Sequence, residues 1–366
     1  MPGTASKPAV YPSLDIAKLQ IFSEKIMGDF GSAMAALACA VGDRLGLFRV
    51  LANSPHSDIA TLADLTRTDE RLLREWLRTL TAAGYLEYDP ADQTFSLPPE
   101  AAELLANEHG AMPLAGGFQL LLGLAAPMDR IMLAFREHSG VLQSDYPEDL
   151  REGMERMSAA WFDNFMVQQW LPAAGLVPRL RAGIRVADLG CGAGRALLRL
   201  ATEFPASSFT GYDAFPEALS RARKNARRGG LEKKICFREI DISFGIPERF
   251  DLIMTLNSLH DVVDFSGAMA AIRRALLPGG SWLILEGNCS AELEDNLGTL
   301  GTILYGTSLF YNTPVSLAGG GLGEGAMALP ESRLRGLCEE AGFELRRLPL
   351  PNPIHALYQA IPQVNS

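Results

Sequence analysis

The stretch "VADLGCGAGRALLRL" at residues 186–200 constrains the fold more than any other part of this sequence. An apolar run leads into an acid, glycines follow at alternate positions, and a segment with the apolar spacing of a helix comes next. Glycine tolerates backbone angles that other residues avoid, so the pattern predicts a strand, a tight turn and a helix. Turns of this kind form ligand sites at the carboxyl ends of strands in open α/β sheets.

Sequence context, rather than the glycine spacing itself, makes this turn a candidate binding site. In a chain of 366 residues with 35 glycines, a G-x-G-x-G pattern arises by chance roughly 0.3 times. A second copy at residues 321–325 follows a loop and not a strand. The turn at 190–194 does follow a strand, and Asp213 ends the next one. A carboxylate there can accept hydrogen bonds from both hydroxyls of a ribose, so we expect a nucleoside.

The glycine spacing favours S-adenosyl-L-methionine (SAM) over a dinucleotide. A dinucleotide turn reads G-x-G-x-x-G, and its third glycine would fall on Arg195 or Leu197 here. The pattern D-x-G-x-G-x-G, with an acid after the second strand, is that of methyltransferases that bind SAM. Asp241 closes the third strand and is placed to accept the adenine amino group. The residues of the first strand and turn predicted to bind the cofactor are Asp188, Gly190 and Gly192.

Apolar strands alternate with helical segments after Gly183. This alternation predicts an α/β fold with a doubly wound, Rossmann-like parallel sheet. Residues 58–97 have the order helix, turn, helix and two short strands, which is a winged-helix pattern. We therefore expect a mainly helical winged-helix dimerisation domain at 1–109, linking and pocket-capping helices at 110–180, and a SAM-binding methyltransferase domain at 181–366.

Charge and composition disfavour several classes of function. The net charge of −10 disfavours nucleic acid, and between Thr66 and Tyr88 four arginines are matched by four acids. Five scattered cysteines predict a reducing compartment and no metal site. The absence of an apolar leader or span predicts a cytoplasmic protein without membrane contact. The nearly all-apolar segment 32–51 predicts burial against a second copy, and hence a homodimer.

A histidine and a group of aromatic residues complete the predicted site. His260 ends the fourth strand in "TLNSLHDVVD". There it can take up a proton near neutral pH, and the adjacent Asp261 can influence its charge. Helix packing is the commoner reason for aromatic residues that lie close together, and a ligand pocket is the alternative. The residues predicted to line a substrate pocket are Trp161, Phe165, Met166 and Tyr305.

Together these motifs resemble the SAM-dependent O-methyltransferases of plant and bacterial secondary metabolism. The resemblance rests on "ADLGCGAG", "GYDAF", "EIDI", "LHDVVD", "LLPGGSWLILEG" and "LCEEAGFE", behind a winged-helix half. It implies that His260 is the base that deprotonates a substrate hydroxyl and that Glu286 positions this base. It also implies that Asp213 binds the ribose, and that Asp241 and Ile242 border the adenine.

The sequence departs from that family at several positions. The family's tryptophan after His-Asp is Val262 here, and the lysine often found four residues before the histidine is Leu256. The neighbouring Asn257 is the predicted substitute in holding the cofactor. A second acid that supports the base is expected near Ala328, where Glu331 is the nearest candidate. The insertion "YNTPVSLAGGGLGEGAM" resembles a bacterial subgroup whose substrates are mostly unassigned.

The sequence thus predicts an enzyme that methylates a small molecule, with a hydroxyl as the expected acceptor. Two alternatives stay open. One is a methyltransferase fold that uses SAM for a non-methylating reaction, whose product would gain no methyl group. The other is a SAM-responsive transcription regulator that binds DNA through its winged helix.

Overall fold

The computed structural model describes residues 14–110, 112–242, 245–350 and 353–363. The chain forms two compact units, which divide between Asn107 and Glu108. The first unit contains helices and one antiparallel pair of strands. Its elements are α1 (Ile16–Leu45), α2 (Leu47–Asn53), α3 (Ile59–Thr66), α4 (Glu70–Ala82), β1 (Glu87–Asp89), β2 (Thr94–Ser96) and α5 (Pro99–Leu105).

Helix α4 illustrates how the sequence specifies the first unit. Asp69 caps it, accepting hydrogen bonds from the first backbone N–H groups. The indole N–H of Trp76 donates to the carbonyl of Ala38 on α1 at 2.8 Å. A methyl group at Gly42 would lie 2.4 Å from the same indole, so glycine is required where the helices meet. The α4 side chains buried at helical spacing are Leu73, Trp76, Leu77 and Leu80.

The outward face of α4 is balanced in charge. Each of its arginines at 71, 74 and 78 pairs with an acid, namely Asp69, Glu70 and Glu75. A helix that recognises DNA carries unpaired basic residues toward the phosphates. The pairing neutralises these three arginines, and the expectation that the winged helix does not bind DNA stays a prediction.

Helix α1 exposes a continuous apolar face. Phe22, Ile26, Phe30 and Met34 are all largely exposed on it. By length and composition, α1 could cross a membrane, and α6 with α7 pass the same test together although they are bent by 50°. This qualifies the expectation that no apolar stretch approaches a membrane span. The same face would suit a second copy of the chain, since exposed apolar surface of this extent marks an interaction site.

The second unit consists of a helical segment followed by a sheet with helices on both faces. The helices before the sheet are α6 (Ala115–Ala125), α7 (Met128–Glu137), α8 (Glu148–Trp161), α9 (Leu171–Ala173) and α10 (Val177–Ala182). A π-helical segment, Phe162–Trp170, joins α8 to α9. The strands are β3 (Arg185–Leu189), β4 (Ser208–Asp213), β5 (Ile235–Glu239), β6 (Phe250–Leu256), β7 (Leu276–Gly287), β8 (Phe343–Leu348) and β9 (His355–Pro362). The remaining helices are α11 (Arg195–Glu203), α12 (Pro216–Arg228), α13 (Phe265–Ala275), α14 (Thr299–Thr307), α15 (Thr313–Ala318) and α16 (Glu331–Glu340).

The sheet has the order β5-β4-β3-β6-β7-β9-β8. The strands from β5 to β7 pair in parallel, which confirms the predicted Rossmann-like sheet. The expectation of a wholly parallel sheet is wrong at one edge, because β9 is antiparallel to both β7 and β8. Only a short link joins β8 to β9, and a parallel pair would need a long crossover.

Two apolar cores lie on opposite faces of the sheet. Helices α11 and α12 and the 162–180 segment pack on one face, and α13 and α16 on the other. The parallel strands all end at one edge, so the residues that follow β3, β4, β6 and β7 are brought close together. That edge holds the predicted site.

Candidate functional site

The turn after β3 is built from glycines in the left-handed backbone region. The φ angles of Gly190, Gly192 and Gly194 are 72°, 53° and 76°. A methyl group at Gly190 would lie 2.5 Å from Ser258, and one at Gly194 would lie 2.9 Å from the ring of Phe237. No atom lies within 4 Å of the same position at Gly192. Two glycines are thus required by packing, while the third leaves backbone open to a ligand.

Two buried carboxylates flank this turn. Asp213 Oδ2 accepts the N–H of Gly192 at 2.8 Å, and Oδ1 accepts the N–H of Phe215 at 2.9 Å. Asp188 is buried, and its Oδ1 has no hydrogen-bond partner among the described residues. Burial, followed by the negative charge of Asp213, raises the pKa of Asp188 to about 8. A cation bound beside Asp188 would stabilise its ionised carboxylate and so lower this pKa again.

The other predicted cofactor residues lie at the neighbouring strand ends. Asp241 and Ile242 follow β5, and the N–H of Ile240 donates to the carbonyl of Asp213 at 3.0 Å. Asp241 is exposed, whereas Ile242 is buried in the second core. Asn257 has a positive φ of 60°, an angle that asparagine adopts more readily than most residues. Its N–H donates to the carbonyl of Leu285 at 2.7 Å, which fixes the chain between β6 and His260.

His260 and Glu286 form a buried pair. The Nδ1 of His260 lies 2.7 Å from Glu286 Oε2, and Glu286 Oε1 accepts the N–H of Leu259 at 2.9 Å. The carboxylate therefore orients the ring and also fixes the turn that carries it. Burial alone would lower the pKa of His260, but the charges of Asp261 and Glu286 and the hydrogen bond outweigh it and raise the pKa to about 9.

The second nitrogen of His260 faces Asn312 and Asp261. Asn312 Nδ2 lies 3.3 Å from Nε2 and donates to Asp261 Oδ1 at 3.0 Å, while Asp261 Oδ1 is 3.6 Å from Nε2. Asn312 is buried, and its Oδ1 has no partner within the described part of the chain. Sequence reasoning missed this residue. The insertion that contains it was the available signal.

A π-helical turn, Ser308–Asn312, brings Asn312 to the histidine. The hydroxyl of Tyr146 donates to the carbonyl of Phe310 at 2.7 Å, and Gln143 donates to the hydroxyl of Tyr311 at 3.1 Å. These bonds tie the turn to the segment before α8. Single π-turns of this kind occur frequently at functional sites.

The prediction that Glu331 is the second acid supporting His260 is wrong. Glu331 begins α16 and pairs with Arg335 at 2.8 Å and with Arg347 at 2.6 Å. Two arginines therefore neutralise it, and neither of its bonds involves His260. Asp261 and Asn312 occupy the region next to Nε2 instead.

The predicted substrate-pocket residues occupy different environments. Met166 is fully buried in the core, so helix packing accounts for its present position. Trp161 packs edge-on against His355 with 4.3 Å between ring centres, and Phe165 is partly buried against the same core. Tyr305 is 40% exposed, and its hydroxyl lies 3.4 Å from Asn296 Nδ2. A role in substrate binding stays a prediction for all of them.

Known families match both units. Residues 180–313 match a family model described as a methyltransferase domain, and residues 33–107 match an Rv2258c-like winged HTH domain. The chain is 33% identical over 109 residues to the 27-O-demethylrifamycin SV methyltransferase of Amycolatopsis mediterranei, covering 29% of this chain and 39% of that protein. It is 26% identical over 324 residues to O-methyltransferase SfmM3 of Streptomyces lavendulae, covering 85% and 92%. Across four of the curated relatives that it matches, the chain spans 39 to 52% of the relative's length.

Solved structures share the whole architecture. CalO1, a methyltransferase in calicheamicin biosynthesis solved with SAH, has a TM-score of 0.67 and 20% identity, covering 96% of this chain and 100% of that chain. Human N-acetylserotonin methyltransferase, solved with SAM, has a TM-score of 0.65 and 20% identity, covering 97% and 100%. At these identities the likeness concerns the fold, and it confirms the predicted combination of a winged-helix region and a Rossmann-like sheet.

Proposed function

We propose that this chain methylates a hydroxyl oxygen of a small molecule with SAM. Its residues 180–313 match a methyltransferase-domain model, and its residues 33–107 match a winged-HTH-domain model. One observation carries the proposal: a buried His260–Glu286 pair lies at the same sheet edge as the glycine turn and Asp188, whose Oδ1 has no hydrogen-bond partner among the described residues. A proton acceptor beside a cofactor turn suits the O-methylation of a hydroxyl that does not ionise readily by itself.

The residues around the turn fit SAM. The buried Oδ1 of Asp188, which has no partner in the described part of the chain, suits the ammonium of the methionine end, and the open face of Gly192 leaves room for that end. Each carboxylate oxygen of Asp213 accepts one backbone N–H and retains a lone pair for a ribose hydroxyl. Asp241, Ile242 and Asn257 remain the proposed adenine-side and supporting contacts. When bound, SAM supplies an electrophilic methyl group on a sulfonium.

His260 would accept the proton of the substrate hydroxyl through Nε2. Glu286 holds the proton of Nδ1, which leaves Nε2 as the basic nitrogen of the neutral ring. Asn312 and Asp261 border that nitrogen, so the substrate oxygen would take its place among them. Such general-base help contributes about 10²–10⁴-fold, provided that the oxygen is held in line with the methyl group at about 3–3.5 Å.

The raised pKa of His260 changes the expected dependence on pH. With an unperturbed pKa near 6.5 the imidazole would be largely neutral at pH 7. With a pKa of about 9 it is mostly protonated there, and only the small neutral fraction can act as a base. The rate therefore rises with pH through a midpoint near 9 rather than near 6.5. A substrate hydroxyl that ionises readily would need this base less.

The enzyme is further proposed to act as a homodimer in the cytoplasm. The exposed apolar face of α1, with Phe22 and Phe30, supports burial against a second copy. No group of three or more His, Cys, Asp or Glu side chains in the described ranges could hold a metal ion.

Incubation with SAM that carries a deuterated methyl group tests the proposed function. Simple phenols and alcohols serve as acceptors, and mass spectrometry follows both SAH and the labelled product. We expect wild type to add the label to at least one hydroxyl and His260→Ala to add far less. Consumption of SAM without label in any product would instead favour a non-methylating reaction, and absence of SAM consumption would contradict the proposal.

A further inference from the structure

A polar cluster connects the capping helix α8 to the cofactor turn. Glu155 of α8 has a side chain only 10% exposed, and it accepts hydrogen bonds from Arg221 and Asn225 of α12. Arg195, the first residue after the glycine turn, adds a contact at 3.5 Å. One buried carboxylate thus meets three side chains from the two helices that follow β3 and β4.

Asn225 extends this cluster to the turn itself. Its side-chain amide donates to Glu155 Oε1 at 2.9 Å and to the backbone carbonyl of Ala193 at 3.1 Å. Ala193 lies between Gly192 and Gly194, the segment proposed to face the cofactor. A displacement of Glu155 would therefore alter a hydrogen bond that holds the turn.

An apolar core also contains residues of both elements. Helix α8 continues into the π-helical segment, where Phe162 and Met166 lie in one core with Cys191 of the glycine turn. Glu155 and the apolar residues Phe162 and Met166 are about two to three helical turns apart along this continuous segment. The capping helix and the cofactor turn thus share both a polar cluster and an apolar core.

Burial distinguishes Glu155 from the other acids near Arg221. Glu148 pairs with the same guanidinium at 3.0 Å but its side chain is 77% exposed. Exposed pairs contribute little because water and salt screen them, whereas a largely buried carboxylate is screened less and its loss also removes its hydrogen bonds. Glu148 is therefore a suitable control for Glu155. Both bind Arg221, but Glu148 is exposed and Glu155 also contacts Asn225.

We propose that Glu155 is a positioning residue that couples the cofactor turn to the capping helix. Occupation of the turn by SAM or SAH then favours the docked position of α8 and the 162–170 segment, and docking of α8 strengthens cofactor binding in return. This reciprocity follows from linkage between two sites that share one conformational equilibrium. The inference rests on the proposed function, because it requires that the turn binds SAM.

Calorimetric titration of SAH into wild type, Glu155→Gln and the control Glu148→Gln tests this coupling. We expect Glu155→Gln to weaken SAH binding by about 5-fold or more and Glu148→Gln to change it by less than about twofold. Asn225→Ala should weaken binding similarly, and the double variant should be no weaker than either single variant, because the two residues act through one path. Thermal unfolding checks that each variant is folded.

Hydrogen exchange distinguishes the proposed coupling from a purely structural role of Glu155. SAH should protect amides of residues 148–170 in wild type and in Glu148→Gln, and this added protection should be lost in Glu155→Gln. Equal SAH affinity and equal protection in Glu155→Gln and wild type would overturn the coupling, as would additive effects with Asn225→Ala. Failure of SAH to bind wild type would overturn the proposed function itself, and that result is seen before any substitution is made.

Discussion

Replacement of Glu286 by glutamine should lower the pKa of His260 by at least two units. Burial favours the neutral ring, and the charges of Asp261 and Glu286 and the hydrogen bond that Nδ1–H donates to Glu286 overcome it to give a pKa of about 9. The substitution removes the negative charge of Glu286, replaces its charge-assisted hydrogen bond by at most a weaker neutral one, and retains the burial. A fall to the ordinary value of about 6.5 corresponds to about 3 kcal/mol of lost interaction with the protonated ring, at 1.36 kcal/mol for each unit.

The pH dependence of kcat/KM measures this change, because it follows ionisation in the free enzyme. We expect a midpoint near 9 in wild type and a midpoint near or below about 6.5 in Glu286→Gln. The plateau rate at high pH should fall in the variant, since the ring loses its orientation, but less than in His260→Ala. Glu344→Gln, which removes an exposed carboxylate on β8, serves as the control.

Titration of the imidazole by NMR checks the same pKa without a substrate. The signal of His260 is assigned by its loss in His260→Ala. A midpoint in Glu286→Gln equal to that of wild type would refute the reasoning, because the carboxylate would then not be the group that holds the proton on the ring.

Three further outcomes are expected. SAH should bind more tightly to wild type as pH rises through about 8, because Asp188 must ionise to pair with the ammonium of SAH. Calorimetry at several pH values should find this pH dependence absent in Asp188→Asn. His260→Ala should lose on the order of 10²-fold or more in single-turnover rate while its SAH affinity stays unchanged, and equal turnover would make the histidine structural. Light scattering should find wild type at twice its 39.6 kDa chain mass, with Phe30→Glu monomeric; a monomeric wild type would exclude the dimer.

Local patterns in the sequence were sufficient to predict the strands, the glycine turn and the winged helix. Periodicity reports which face of an element is buried, and glycines at alternate positions report the turn. The pairing of His260 with Glu286 followed from the resemblance. His260 follows β6 and Glu286 lies near the end of β7. Because these two strands are parallel neighbours, both residues lie at the same edge of the sheet.

The remaining features depend on long-range packing that a local pattern does not contain. Asn312 reaches His260 through a π-turn, and that turn is fixed by Tyr146 from a distant segment. Glu331 was placed by counting along the chain, and such a count does not show that Arg335 and Arg347 bind this carboxylate. The pKa of His260 is a balance between burial and two carboxylates, so the sequence alone suggested only the unperturbed value.

Titration of SAH into the wild-type chain and Asp213→Ala tests most directly whether this sheet edge is a SAM site. Wild type should bind one SAH per chain, and Asp213→Ala should bind it about 1–3 kcal/mol more weakly, the cost of leaving buried hydroxyls unpaired. Glu344→Gln should bind as wild type does. Absence of SAH binding to wild type, or tight binding of NAD in its place, would contradict the assignment.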